Sequence, residues 1–248
     1  SFIDPDIEER VQEVWAQEAA PYALDEGGWL MGGLEDLQGR FNINALASVV
    51  AGAGGQGVAG GEQNAGDTEV GLGTEEKAGS APGLNEPRFN PSQMFFIRLL
   101  QTLDDPEVSL QEAMAFVASA SDWSDADINP APDGAEDDYY SVLSPPYRSA
   151  NGPVSSASEL RAVANMTPEI YNAIRPWITA WPQVPAKLNI HTAPLFVLRG
   201  INADDDLSPL NLGDAEALVE YRNETGFVDK EDFLANPVFS GMSMEQVG

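Results

Sequence analysis

The sequence predicts an α+β fold, with a small sheet near its beginning and a long helical part after it. Between residues 27 and 44, a glycine-punctuated apolar run passes into alternating apolar and polar residues, a pattern typical of strand, turn and strand. From 91 to 236, apolar residues recur at helical spacing in one segment after another. With 248 residues, 43% of them hydrophobic, the chain can bury a sizeable core.

The first 90 residues contain two segments beside the strand pattern. Residues 6–19 are predicted to form a short amphipathic helix, with Asp4 as its cap and Pro5 at its first position. Residues 51–83 are rich in Gly, Ala, Glu and Gln and carry few large apolar side chains. Because such a segment cannot bury enough surface to offset its ordering entropy, it is predicted to be a mobile loop.

The middle of the chain is predicted to be helical. Residues 91–103 and 106–118 both have wide apolar faces. A capping box of Ser156 and Glu159 predicts a further helix. In the helix that follows Thr167, a proline at 176 predicts a kink or a stop.

Two tryptophans near that proline, Trp177 and Trp181, are interpreted as core anchors because they share an apolar face and no basic residue interleaves them.

Residues 186–236 resemble the helix-hairpin-helix unit of DNA-binding proteins, with one helix ending near Gly200 and the next opened by Gly213. The segment holds 4 bases against 10 acids, a net charge of −6, so it would repel phosphate. The pattern therefore predicts the helix-hairpin-helix fold but not DNA binding. His191 is interpreted as a capping or packing residue, and Asp204 to Asp206 as a solvated acidic face with a second cation as the alternative.

The most informative stretch is an acidic loop at 122–140 that contains no Lys or Arg. Its carboxylates are Asp122, Asp125, Asp127, Asp133, Glu136, Asp137 and Asp138. Calcium prefers six to eight oxygen ligands, and from Asp125 the acidic and amide residues fall at positions 1, 3, 5, 9 and 12 of the twelve-residue calcium loop. Pro130 stands at position 6, where that loop needs glycine. The sequence predicts a calcium loop of its own shape, with a solvated acidic loop as the alternative.

Composition excludes several classes of function. The net charge of −28, from 40 acids against 12 bases, disfavours nucleic acid and anionic membrane surfaces as partners. Zero cysteines and one histidine leave no thiolate zinc site, no cysteine nucleophile and little for histidine chemistry. No apolar run approaches the length of a membrane span, and a start at Ser1 without an initiator Met suggests a fragment.

Three motifs in this order resemble the K-class minor pseudopilins of the type II secretion system: residues 39–44, 122–140, and 189–198 followed by 214–234. The resemblance implies a pseudopilin α/β domain, a helix plus a small antiparallel sheet, begun by residues 1–90. A large all-α domain with helical-hairpin units would be inserted at 91–236, and 237–248 would return toward the pilin sheet, which is truncated here.

The resemblance also implies a function. The chain would be a non-enzymatic subunit at the tip of the pseudopilus, where it would assemble with the I- and J-class minor pseudopilins and contact secreted proteins and the outer-membrane secretin. It would lie at the periplasmic face of the bacterial inner membrane, held in the full-length protein by an N-terminal anchor helix absent from this sequence. Calcium would be bound within the acidic loop by residues drawn from Asp122, Asp125, Asp127, Asp133, Glu136 and Asp137.

The alternative from another class is a calcium-dependent hydrolase that uses two loop carboxylates as acid and base. Carboxylates that bind a metal are not free for proton transfer, and the sequence shows no nucleophile with an adjacent base.

Overall fold

The computed structural model describes residues 21–25, 27–47 and 88–245. The predicted helix at 6–19 and the predicted mobile loop at 51–83 lie outside the described residues. The chain divides into two units, 1–48 with 89–248 and 49–88, and every element described below belongs to the first. The predicted division at 90 and 236 stays a prediction.

Short strands and helices of varied length alternate in the described part, and the α+β prediction is confirmed. The strands are β1 (Tyr22–Ala23), β2 (Trp29–Leu30), β3 (Phe41–Asn42) and β4 (Ile178–Thr179). The helices are α1 (Pro91–Leu100), α2 (Leu110–Ser124), α3 (Asp137–Ser141), α4 (Pro168–Ile174), α5 (Leu195–Leu198), α6 (Leu212–Glu224) and α7 (Lys230–Leu234). Short 3-10 helices occupy Leu37–Gly39, Ile43–Ala45, Ala157–Ala162, Arg175–Trp177 and Pro237–Phe239.

β2 and β3 form within the residues where the strand, turn and strand pattern predicts strands, but they do not pair with each other. β2 pairs antiparallel with β1, so that Tyr22 lies opposite Leu30. β3 pairs in parallel with the distant β4, so that Phe41 lies opposite Ile178. Pairing of two-residue strands depends on where the rest of the chain folds, because such short ladders carry little register information of their own.

The contacts of its side chains hold β3 in place more than its two-residue backbone pairing with β4 does. Phe41 stacks on Phe95 and Phe96 of α1, with ring centroids 5.1 and 4.9 Å apart. The Asn42 amide donates to the carbonyl oxygens of Pro182 and Val184 at 2.9 and 3.0 Å. These contacts attach the sheet segment to both the first helix and the loop after β4.

Capping decides the ends of the central helices. α1 begins at the predicted residue and ends within one turn of the predicted end. The predicted bounds of α2, 106–118, are wrong: Ser109 and Glu112 form a capping box, so the helix starts at Leu110. It continues to Ser124 and so carries the first acidic side chain of the loop on its last turn.

The region around Pro176 follows the prediction in part. α4 ends at Ile174 and a 3-10 turn follows, so the predicted stop is confirmed. Trp177 packs against Phe196 with ring centroids 5.2 Å apart, but Trp181 is 60% exposed, and its interpretation as a core anchor is wrong. The capping box of Ser156 starts a helix as predicted, and this helix is a 3-10 helix over Ala157–Ala162.

The C-terminal helices α5, α6 and α7 form where the hairpin pattern predicts them. Phe227, Phe233 and Phe239 are all buried and contact one another in series, with ring centroids 4.9 and 5.1 Å apart. His191 is buried and its backbone N–H donates to the Asn189 side chain, in agreement with a packing role. Within the described residues, no helix is both long and apolar enough to cross a membrane.

A buried arginine connects α1 with the acidic turn before α6. Arg98 is 1% exposed, and its guanidinium donates to the carbonyl oxygens of Asp206 and Ala203, both at 2.7 Å, and of Gly200 at 3.3 Å. Burial lowers the pKa of Arg98, while Asp206 and Asp204 raise it. The positive group against the 204–206 turn is thus a side chain of the protein, and a second bound cation there stays a prediction.

Candidate metal centre

The end of α2 and the start of α3 bring part of the predicted acidic site together. Asp125 is the C-cap of α2, and Glu136 is the N-cap of α3. Asp127 lies on the loop between them. One carboxylate oxygen from each of these residues lies within 4.8 Å of the others, a spacing that could hold a metal ion. Oxygen-only donors of this kind suit a hard cation such as Ca²⁺.

Two of the three carboxylates are buried without full hydrogen bonding. Glu136 is 4% exposed and Asp125 is 9% exposed. In the part of the chain that the structure describes, Glu136 Oε1 and Asp125 Oδ1 are buried and have no hydrogen-bond partner. Burying an ionised carboxylate is costly unless it is paired or coordinates a metal. A cation would supply the missing partner for both oxygens, so the residues present fit a metal ion.

Burial also changes the acidity of the site. It raises the pKa of Glu136 to about 7, and the charges of Asp125 and Asp122 add to that shift. It raises the pKa of Asp125 to about 6, with Asp127 as the next cause. Each ionised carboxylate in a buried site makes it harder for the next one to ionise, because like charges repel. A bound cation would reverse this effect and favour the ionised forms.

Asp122 shapes the loop and lies outside the group of three. Its side chain is 2% exposed and accepts the Ala131 backbone N–H at 3.1 and 3.2 Å. Burial raises the pKa of Asp122 to about 6, against the opposing effect of the hydrogen bonds from Ala131 and Ala135. This carboxylate, on the last turn of α2, therefore folds the loop back over the helix end.

The remaining predicted ligands also lie outside the group. Asp137 accepts the backbone N–H and the hydroxyl of Ser149, both at 2.9 Å. Asp133 is exposed and has a left-handed backbone, with φ at 67°. Within the group, Asp127 accepts the Asn129 backbone N–H at 2.8 Å.

Ser149 is a residue of the site that sequence reasoning missed. Besides Asp137, its hydroxyl contacts Glu136 Oε2 at 3.4 Å. Because Ser149 follows the acidic loop at no fixed ligand spacing, the sequence carries no signal for it.

Gly134 is expected to be essential for the loop. A Cβ added at this position would overlap with the Asp122 carboxylate, and the Ala131 carbonyl is close on another side. Gly134→Ala is expected to lower the free energy of unfolding by about 1–3 kcal/mol, the usual cost of overpacking. Urea unfolding followed by circular dichroism measures this. Gly152→Ala is the control, since its added Cβ would meet only the Ala150 carbonyl at 3.7 Å; equal losses in both variants would contradict the steric reason.

Two family models match the chain, and both are described as type II secretion system (T2SS), protein K. The first covers residues 39–183 and the second covers 188–248. These matches identify the chain as a component of a type II secretion system. Within that system, it belongs to the protein K family, as the resemblance of its motifs predicts.

Curated relatives agree with this family. Type II secretion system protein K of Pseudomonas aeruginosa is 31% identical over 223 residues, which cover 89% of this chain and 53% of that protein. The protein of the same name from Pectobacterium carotovorum is 31% identical and covers 88% of this chain and 56% of its own length. The chain thus spans about half the length of these relatives.

A solved structure shares the fold. A chain in the crystal structure of the GspK-GspI-GspJ complex from the type 2 secretion system of enterotoxigenic Escherichia coli superposes with a TM-score of 0.67 at 24% identity. The match covers 96% of this chain and 70% of that chain. The comparisons give no support to the hydrolase alternative, since the proteins they find are named as secretion-system components.

Proposed function

We propose that this chain is the structural part of a minor pseudopilin, without an enzymatic activity, at the tip of the type II secretion pseudopilus. It would assemble there with the I- and J-class minor pseudopilins at the periplasmic face of the inner membrane. Membership of the protein K family carries this proposal. The fold shared with a chain of the GspK-GspI-GspJ complex over 96% of this chain supports it.

A steric argument supports the tip position. The helical segments from α1 to α7 would add bulk to a pilin-type subunit, and a head too wide to accept another subunit above it can only end a fibre. Such a subunit would start or cap the fibre during export of folded proteins through the outer membrane. Contacts with the exported proteins and with the secretin belong to the same proposal.

Calcium would stabilise this head through the acidic loop. We infer that Asp125, Asp127 and Glu136 bind the ion directly, because these are the carboxylates that come together and two of them are buried without a partner. Asp122 and Asp137 would hold the loop and the Ser149 segment in place. A bound Ca²⁺ would offset the repulsion among the three carboxylates and join the end of α2 to the start of α3.

Native mass spectrometry of this chain mixed with the I- and J-class partners tests the assembly proposal. A three-chain complex that retains calcium is expected, and removal of calcium by a chelator is expected to weaken it. Omitting one partner at a time is the control for unspecific association. A chain that stays monomeric beside both partners would contradict the assembly role, whereas a complex indifferent to the chelator would contradict only the part assigned to calcium.

A further inference from the structure

We propose that Asn151 is a further ligand of the bound calcium, through its side-chain oxygen. The inference rests on the proposed calcium site and adds a neutral oxygen from outside the acidic loop. Asn151 Oδ1 is buried and has no hydrogen-bond partner among the residues that the structure describes. Asp125 Oδ1 and Glu136 Oε1 of the candidate centre are likewise buried without a hydrogen-bond partner among the described residues.

The backbone holds Asn151 against the helix end that carries the site. Its N–H donates to the Trp123 carbonyl at 3.0 Å, two residues before Asp125 on the last turn of α2. Two residues earlier in the chain, Ser149 contacts both Glu136 and Asp137. The segment 149–151 therefore spans the centre from the α3 side to the α2 side.

Chemistry favours a cation as the partner of the orphaned amide oxygen. Once ionised, the neighbouring carboxylates are acceptors only and cannot donate to it. Calcium takes amide oxygens together with carboxylates and completes six to eight positions. Three carboxylates alone leave several positions open. The Asn151 backbone is left-handed, with φ at 45°, which asparagine tolerates better than most residues.

One competing partner is present. Trp123 Nε1 is a buried donor that also has no partner within the described residues. A water molecule between this nitrogen and Asn151 Oδ1 would satisfy both without a metal. The two arrangements differ in the hydration of the bound ion, which can be measured.

The test uses Tb³⁺ as a calcium probe on the full chain, excited through the nearby aromatic residues. Luminescence lifetimes in H₂O and D₂O give the number of water molecules on the ion. Asn151→Gly keeps the left-handed backbone and removes the side chain, so an additional bound water is expected, with Ca²⁺ affinity lower by about tenfold or more. Asn151→Asp supplies a charged oxygen in the same place and is expected to bind Ca²⁺ more tightly with the wild-type water number.

Asn165→Gly is the matched control, because Asn165 is also left-handed but its amide donates to the Ala115 carbonyl and the Ser119 hydroxyl on α2. It should leave the water number unchanged. An unchanged water number in Asn151→Gly, even with weaker affinity, would overturn this inference alone and favour the pairing with Trp123. Weaker calcium binding by Asn151→Asp would overturn it as well. Failure of the wild-type chain to bind Tb³⁺ or Ca²⁺ would overturn the calcium site and this inference together.

Discussion

Arg98→Ala is expected to lower the free energy of unfolding by about 3–5 kcal/mol. The substitution would remove the guanidinium from the carbonyl oxygens of Gly200, Ala203 and Asp206, of which only that of Ala203 keeps another described backbone donor, the Asp206 N–H at 3.1 Å. The buried Gly200 carbonyl left unsatisfied costs about 1–3 kcal/mol, and the cavity left by the buried Arg98 side chain adds a loss of similar size. Urea unfolding followed by tryptophan fluorescence measures the loss, which should be among the largest that a single substitution produces in this chain.

Two further variants separate the lost hydrogen bonds from the lost charge. Arg98→Lys keeps the charge but cannot reproduce the planar fork of donors, so it should recover only part of the stability. Arg161→Ala is the control for removing an exposed arginine, whose one described contact lies over the Tyr171 ring at 5.7 Å, and it should cost about 1 kcal/mol or less. A loss below about 1 kcal/mol in Arg98→Ala would show that the 200–206 turn folds without its guanidinium.

Calcium at saturating concentration is expected to raise the melting temperature by about 5–10 °C near neutral pH. A hundredfold excess over Kd stabilises the folded state by about 2.7 kcal/mol, and each kcal/mol corresponds to about 2–4 °C in a domain of this size. Differential scanning calorimetry with calcium and with a chelator measures the difference. No shift in the wild-type chain would contradict calcium binding to the folded state.

The calcium effect should depend on pH with a definite sign. Burial raises the pKa of Glu136 to about 7 and those of Asp122 and Asp125 to about 6. Without a cation, groups with raised pKa stabilise the fold fully below their unfolded pKa, near 4, and that contribution is lost as pH rises through 6 to 7. Calcium needs the ionised forms, so the temperature shift should be small near about pH 5 and reach its full size near about pH 8.

Glu136→Gln separates the two roles of this carboxyl. The variant should lose most of the calcium-dependent shift because it removes a direct ligand. In the presence of a chelator near about pH 8, it should be as stable as the wild type or more stable, because glutamine does not force a buried negative charge. Asp138→Asn, an exposed neighbour outside the group, is the control and should keep the wild-type shift. A large loss of stability in the chelated Glu136→Gln variant would contradict the electrostatic reason.

Local patterns predicted the helices better than the strands. The start of α1, the stop before Pro176 and the three C-terminal helices follow from caps and apolar spacing, which act within a few residues. The interpretation of Trp181 as a core anchor is wrong, and no partner of β3 is predicted. Both depend on which distant segments meet, and a two-residue strand holds no local signal that selects Ile178 as the partner of Phe41.

The candidate metal centre could likewise be predicted in part from local sequence and in part only from the fold. Spacing in the loop pointed to Asp125, Asp127 and Glu136, which the fold brings together. The spacing of the acidic residues does not show that the Asp122 carboxylate accepts a hydrogen bond from the Ala131 backbone N–H. It also does not show that Ser149, from a later segment, contacts Glu136. Whether an acidic side chain faces a site or supports its loop depends on backbone donors that only the folded loop positions.

The sequence by itself determined the α+β class, the family and the place of the acidic loop, because composition, capping residues and the order of motifs can be read along the chain without knowing which distant segments meet. Only the tertiary structure decided which carboxylates are buried together, and it placed Arg98 against the 204–206 turn and Asn151 against the end of α2. Burial and orphaned hydrogen-bonding atoms arise when distant segments pack, and they set both the acidity of the site and its need for a cation.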